Sequence, residues 1–169
     1  MIKKLKPMEY VLYASVIALG IALDQLTKLL SVKFLAPVST VPLIQDVLHL
    51  TYVENRGAAF GMLSNSRWVF LVVSSVAIVG LCLYLFFGQA PDRLSAVSLA
   101  IILSGGIGNM IDRIGQGYVV DFIDFRLIHF AVFNGADSFV CVGAGLLVLA
   151  IIRQMIAEKK NEKKQGKAV

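Results

Sequence analysis

Histidine, cysteine and proline are scarce in this chain, at two, two and four residues. His49 and His129 stand far apart, and Cys82 and Cys141 each lie inside an apolar run. No pair has the spacing that holds zinc, so no metal and no cofactor is expected, and the thiols read as small hydrophobes buried in lipid or protein. Charge is thin as well: Asp, Glu, Lys and Arg make up 16% of the sequence against 57% hydrophobic residues. That balance excludes an ordinary soluble domain. The net charge of +5 does not point to nucleic acid, because the lysines gather at the ends (Lys3, Lys4, Lys6; then Lys159, Lys160, Lys163, Lys164, Lys167). There is no basic stripe interleaved with aromatics on which bases would stack.

What the chain has is long apolar runs. Four spans can be drawn, at about 9–30, 68–88, 94–111 and 136–156, followed by a polar tail over 157–169 that is expected to fray. Residues 1–169 read as a single polytopic membrane domain. Lys3, Lys4 and Lys6 ahead of the apolar stretch Tyr10–Leu23 resemble a signal peptide. That stretch continues into Asp24-Gln25-Leu26-Thr27-Lys28 and three more spans follow, which favours a retained first helix. Placing both termini in the cytoplasm puts Lys3, Lys4, Lys6, Arg93, Arg153 and the five tail lysines on that side, ten in all. The other side then carries Lys28, Lys33, Arg56, Arg67, Arg113 and Arg126, six in all, so the bias supports this topology.

The segments between spans are not plain linkers. Val38–Val53 is rich in β-branched residues and broken by Pro42, and Tyr118–Phe133 mixes apolar residues with Asp121, Asp124, Arg126 and His129. Both suggest strand, or a segment lying in the interface. The fold expected is a mainly α membrane protein: four transmembrane helices with a small external β-rich element and an interfacial loop.

In this topology the polar chemistry converges on the outer boundary. Asp24 is expected to end the first span, Asp112 the third, and Asp137 to begin the fourth, with Asn55 and Asp121 in the outer loops. A carboxylate at membrane depth is costly and therefore a functional candidate. If the fold brings Asp121 and Asp137 together, the pair cannot both ionise comfortably and shares a proton. One member then takes a proton from water while the other donates to a carbonyl oxygen. The plain alternative makes Asp137 a helix N-cap and Asp121 a solvated loop acid.

Asn109 and Arg113 are four apart after the glycines of Gly105-Gly106-Ile107-Gly108, on one helical face suited to a substrate carbonyl or lipid headgroup. Asp24 and Lys28, also four apart, suggest an ion pair tethering the first helix to the outer loops. Asn55 suits an amide that orients an acid or substrate, or a simple turn.

Five stretches taken in order resemble the bacterial lipoprotein signal peptidases, the type II signal peptidase family of membrane aspartyl proteases: Asp24-Gln-Leu-Thr-Lys28, Asn55-Arg-Gly-Ala-Ala-Phe60, Gly108-Asn-Met-Ile-Asp-Arg113, Val119-Val-Asp-Phe122 and Phe133-Asn-Gly-Ala-Asp-Ser138. The resemblance covers nearly the whole chain. It implies that Asp121 and Asp137 are catalytic, that Asn55, Asn109, Arg113 and Asn134 support the site or bind substrate, and that Asp24, Lys28 and Asp112 are structural. It further implies a diacylglyceryl-modified prolipoprotein as substrate, cut just before the lipidated cysteine, and a site in the bacterial inner membrane facing outward among membrane lipids. Inhibition by globomycin-type cyclic peptides follows from the same likeness. One departure is Gly135, where the family usually has an aliphatic residue; glycine there is expected to loosen the backbone before Asp137.

Other classes fit less well. A transporter or channel would want acids at mid-span and an inverted repeat. A non-catalytic lipoprotein-binding factor would leave the aspartates replaceable, and a lipid phosphatase would want a denser basic cluster than Arg113 provides.

Overall fold

The structure, a computed structural model, describes residues 6–57, 67–88 and 92–165. Lys3, Lys4 and Lys167 of the basic ends and Ala58 to Phe60 of the second motif lie outside them. Four helices are long and apolar enough to cross a membrane: α1 (Pro7–Leu30), α2 (Arg67–Phe87), α3 (Arg93–Gly115) and α4 (Gly135–Gln165). Between them lies a three-stranded antiparallel sheet of β1 (Thr40–Ile44), β2 (Leu48–Asn55) and β3 (Val119–Phe125), in the order β1-β2-β3. The sequence anticipates both features.

Local chemistry fixes the helix starts. Pro7 occupies the first turn of α1, and the Glu9 carboxylate accepts from the backbone N–H of Lys6 at 2.8 Å. Asp92 caps α3, accepting from the Ser95 N–H at 2.7 Å. At its far end α1 passes into a π-helical turn over Ser31–Leu35, where the Ser31 hydroxyl bonds back to the Thr27 carbonyl at 2.9 Å.

α3 is the central helix: 56% of its apolar 18-residue stretch is buried, against 17%, 6% and 11% for the corresponding stretches of α1, α2 and α4. Its buried residues are mostly small, among them Ser95, Ala96, Ser98, Ala100, Ser104, Gly105 and Gly108. In lipid, helices associate through close packing of such residues, since apolar burial gives no preference for protein over acyl chains. At Gly105 a Cβ would run into the Ala136 carbonyl of α4, so only glycine allows that approach. The apolar core (Tyr13, Leu85, Ala96, Leu99, Ala100, Leu103) fills one end of the bundle. There Tyr10 stacks on Phe86 at 6.0 Å, and Gln154 donates to Asp92 at 2.8 Å, joining α1 to α2 and α4 to α3. Lys6, Arg93 and Arg153 belong to this end, and the sheet lies at the other.

Three boundaries differ from the sequence expectation. Asp24 lies well inside α1 and Asp112 inside α3, because Lys28 pairs with Asp24 within α1 and with Asp112 across to α3, so neither charge needs a helix end. α4 runs on through the polar tail to Gln165 instead of fraying after Ile156. Residues 157–165 are Ala, Glu, Lys, Asn and Gln, mostly strong helix formers, and the first breaker is Gly166.

Candidate active site

β3 organises the site twice over. Val119, Asp121 and Ile123 alternate onto one face, and Val119 and Asp121 line a cavity of about 540 Å³. Ile123 also pairs with Phe133, exchanging N–H···O bonds of 2.8 and 3.1 Å. This clamps the chain immediately before Asn134 and sets where α4 begins. Stacking of Phe125 on Phe133 at 5.9 Å supports the same junction.

Asn134 then caps α4. Its Oδ1 accepts from the Asp137 N–H at 3.0 Å, while Asp137 Oδ2 accepts from the Asn134 N–H at 3.1 Å. This is a reciprocal capping box with the acid at the third helical position. Asp137 is therefore not the cap itself but its partner. The Nδ2 of Asn134 donates to Asp121 Oδ1 at 2.6 Å, so one fully buried residue is bonded to both carboxylates. The remaining oxygens are also held: Asn109 Nδ2 donates to Asp137 Oδ1 at 2.8 Å, and Asn55 Nδ2 to Asp121 Oδ2 at 2.9 Å.

Asn55 ends β2, opposite Val119, and its Oδ1 accepts from the Gly57 N–H at 2.9 Å. It makes the turn and orients the acid, so the two readings of this residue hold together. Asn55, Asn109, Arg113, Asp121 and Asp137 all line the cavity. Arg113 lies over the Phe70 ring at 5.1 Å, its charge toward the acids.

Asp121 is 2% exposed, not a solvated loop acid. Burial pushes its carboxyl up to about 6. The Asn55 bond opposes this, the charge of Asp137 adds to it, and the Asn134 bond and Lys28 charge oppose it further.

Beneath the acids is a buried ionic cluster. Lys28 Nζ lies 2.9 Å from Asp24 Oδ2 and 2.9 Å from Asp112 Oδ2, all three side chains being almost wholly buried. The pair Asp24–Lys28 thus forms, but it ties α1 to α3 and α4 rather than to the outer loops. Asp24 Oδ1 accepts from the Ala136 N–H of α4 at 2.9 Å, and Asp112 Oδ2 from the Val120 N–H of β3 at 3.2 Å. The absent Cβ of Gly108 leaves room for the Asp24 carboxylate.

Sequence reasoning gave no role to Gln25, which donates to Asp112 Oδ1 at 2.9 Å and to the Gly108 carbonyl at 3.2 Å. Its signal was a polar residue between Asp24 and Lys28 in a run that otherwise reads as lipid-facing. The Thr51–Asp124–Arg126 group on the sheet was also missed. Asp124 Oδ2 accepts from the Thr51 hydroxyl at 2.7 Å and from Arg126 Nε at 3.0 Å. Although burial works against ionisation there, these bonds hold its carboxyl below the usual range.

A four-span bundle whose buried polar groups gather in a cleft beside the sheet defines a multi-pass membrane enzyme. A solved bacterial membrane enzyme superposes with a TM-score of 0.77 at 27% identity, covering 92% of this chain and 94% of its own. The signal peptidase (SPase) II family model matches residues 16–153. The lipoprotein signal peptidase of Brevibacillus brevis is 47% identical over 155 residues, 91% of this chain and 99% of its own. That of Clostridioides difficile is 46% identical over 83% of this chain and 95% of its own. The chain belongs to the signal peptidase II family and is a peptidase.

Proposed function

We propose that the cleft removes signal peptides from diacylglyceryl-modified prolipoproteins by aspartyl chemistry, cutting just before the lipidated cysteine at the outer membrane boundary. The observation that carries this reading is Asn134, bonded at once to Asp121 and Asp137, which line one cavity. Asp121, buried and raised to about 6, suits the member that keeps the shared proton. Asp137 sits in the first turn of α4, where helix N–H groups favour negative charge, and suits the member that activates water.

Water then attacks the scissile carbonyl and gives a proton to Asp137, while Asp121 gives its own to the carbonyl oxygen. The tetrahedral intermediate collapses as the C–N bond breaks. The amine leaves with a proton from Asp137, and the hydroxyl proton returns to Asp121, which restores the pair. Arg113 and Asn109 face the same space and suit the substrate's backbone carbonyls. No covalent intermediate is required.

The Lys and Arg bias supports cytoplasmic termini and a site facing outward from the bacterial inner membrane. The test is a gel-shift assay on a diacylglyceryl prolipoprotein with purified wild type, Asp121→Asn and Asp137→Asn. Wild type is expected to cleave and to be blocked by globomycin, and each variant to lose roughly 10²–10⁴-fold or more while remaining folded. Retained turnover in either variant would falsify the dyad.

A further inference from the structure

Lys28 does more than balance Asp24 and Asp112. Its third contact is a hydrogen bond of 2.8 Å from Nζ to Asn109 Oδ1. Asn109 Oδ1 also accepts from Asn134 Nδ2 at 3.1 Å, and its Nδ2 donates to Asp137 Oδ1 at 2.8 Å. An amide has one acceptor end and one donor end. A cation at the oxygen forbids the flipped orientation, in which an NH₂ group would face the ammonium. The orientation that remains aims the NH₂ group at Asp137.

We infer that Lys28 is a positioning residue for the proposed peptidase chemistry, fixing the Asn109 amide so that it donates to Asp137. The inference rests on the functional reading above and adds a role for a residue that otherwise reads as structural. The charged groups around this path are Asp24 on α1, Asp112 and Arg113 on α3, Asp121 on β3 and Asp137 on α4. Lys28 is the cation that bridges the α1 and α3 acids, and its charge also lowers the proton affinity of Asp121.

The experiment measures kcat, KM and the pH–rate profile for full-length wild type, Lys28→Met and Lys28→Arg on the lipidated substrate. Rates are taken per folded molecule, with folding scored by thermal unfolding in detergent. In Lys28→Met, kcat is expected to fall about tenfold, as for loss of one charge-assisted hydrogen bond, with KM little changed. The alkaline limb moves to higher pH, because Asp121 loses a nearby positive charge. Lys28→Arg keeps the cation and is expected to keep the limb in place.

If Lys28→Met does not fold, Lys28→Met/Asp112→Asn carries the kcat test. It has the same net charge in the cluster as wild type but lacks the donor to Asn109, and the tenfold loss is expected there too. A folded variant with unchanged kcat and an unshifted limb overturns the inference, since a purely structural lysine would change only the folded fraction. A wild type that cleaves nothing would instead strike the functional reading itself.

Discussion

Asp121 couples the proposed chemistry to stability. Its folded value of about 6 lies above its ordinary 3.8, so the folded protein holds that proton more tightly than the unfolded chain does. The contribution is therefore greatest at low pH, falls as pH rises from 3.8 to about 6, and is level above that. At 1.36 kcal/mol per pH unit the loss is about 3 kcal/mol. Asp124, held below its usual range, works in the opposite sense over a more acidic window. The clean measurement is thus a difference. Between pH 4 and 6.5 the Tm of wild type in detergent is expected to lose ground to that of Asp121→Asn, and parallel curves would contradict the assignment. Gly135 gives a second residue-scale expectation. A Cβ there would sit 3.6 Å from Asp24 Oδ1 and from Thr27 Oγ1, ordinary contact distances, and its φ is not positive. The loosening expected from glycine has no steric cause in this fold. Gly135→Ala is expected to raise stability by about 0.4–1 kcal/mol and to retain cleavage; a lower Tm would mean that the turn needs glycine after all.

The junction of α1, α3 and α4 shows what the sequence could and could not reveal about elements. The four spans were legible because an uncharged run long enough to cross admits few other structures, and the strands because β-branched residues alternate between turn signals. Asp121 and Asp137 could be weighed as a pair from their placement at the outer boundary, but that they meet came only with the resemblance, since the β-bridge between Ile123 and Phe133 leaves no local pattern. The interior placement of Asp112 was hidden for a related reason: a charge reads as a helix end unless its partner is visible, and Lys28 reaches Asp112 only in three dimensions. At this junction Gly108 is the critical small residue. A Cβ there would overlap the Asp24 carboxylate and push it from Lys28 and from the Ala136 N–H. Gly108→Ala is expected to cost about 1–3 kcal/mol from overpacking and to lower activity with it. Gly145, on an exposed part of α4 with nothing near its missing Cβ, is the control. Gly145→Ala is expected to be neutral or stabilising by up to about 1 kcal/mol. Equal Tm losses in the two variants would place the effect in helix geometry rather than in the ionic cluster.

Across the whole molecule, polarity is distributed by end. Asp24, Lys28, Asp112, Asp121 and Asn134 are buried at the sheet end, whereas the other end has an apolar core and solvated basic residues. A bilayer tolerates this arrangement because the ionic groups are paired within protein while the lipid-facing surface, such as Val72, Val76 and Ile156, stays apolar. On the proposed topology the sheet and cleft lie outside and the basic ends inside, where a precursor would be cut as it emerges. Gln45, at the exposed tip of the β1–β2 hairpin, and Glu162, on the exposed end of α4, are natural reporters of the two sides. Cysteine would be placed at each in turn, with Cys82 and Cys141 replaced by alanine to remove background. In intact cells an impermeant maleimide is expected to label Gln45→Cys at once and Glu162→Cys only after permeabilisation. Labelling of Glu162→Cys from outside would invert the topology. The cleft would then face the cytoplasm, out of reach of a cut made at the outer boundary, even if every hydrogen bond around Asp121 and Asp137 were as described.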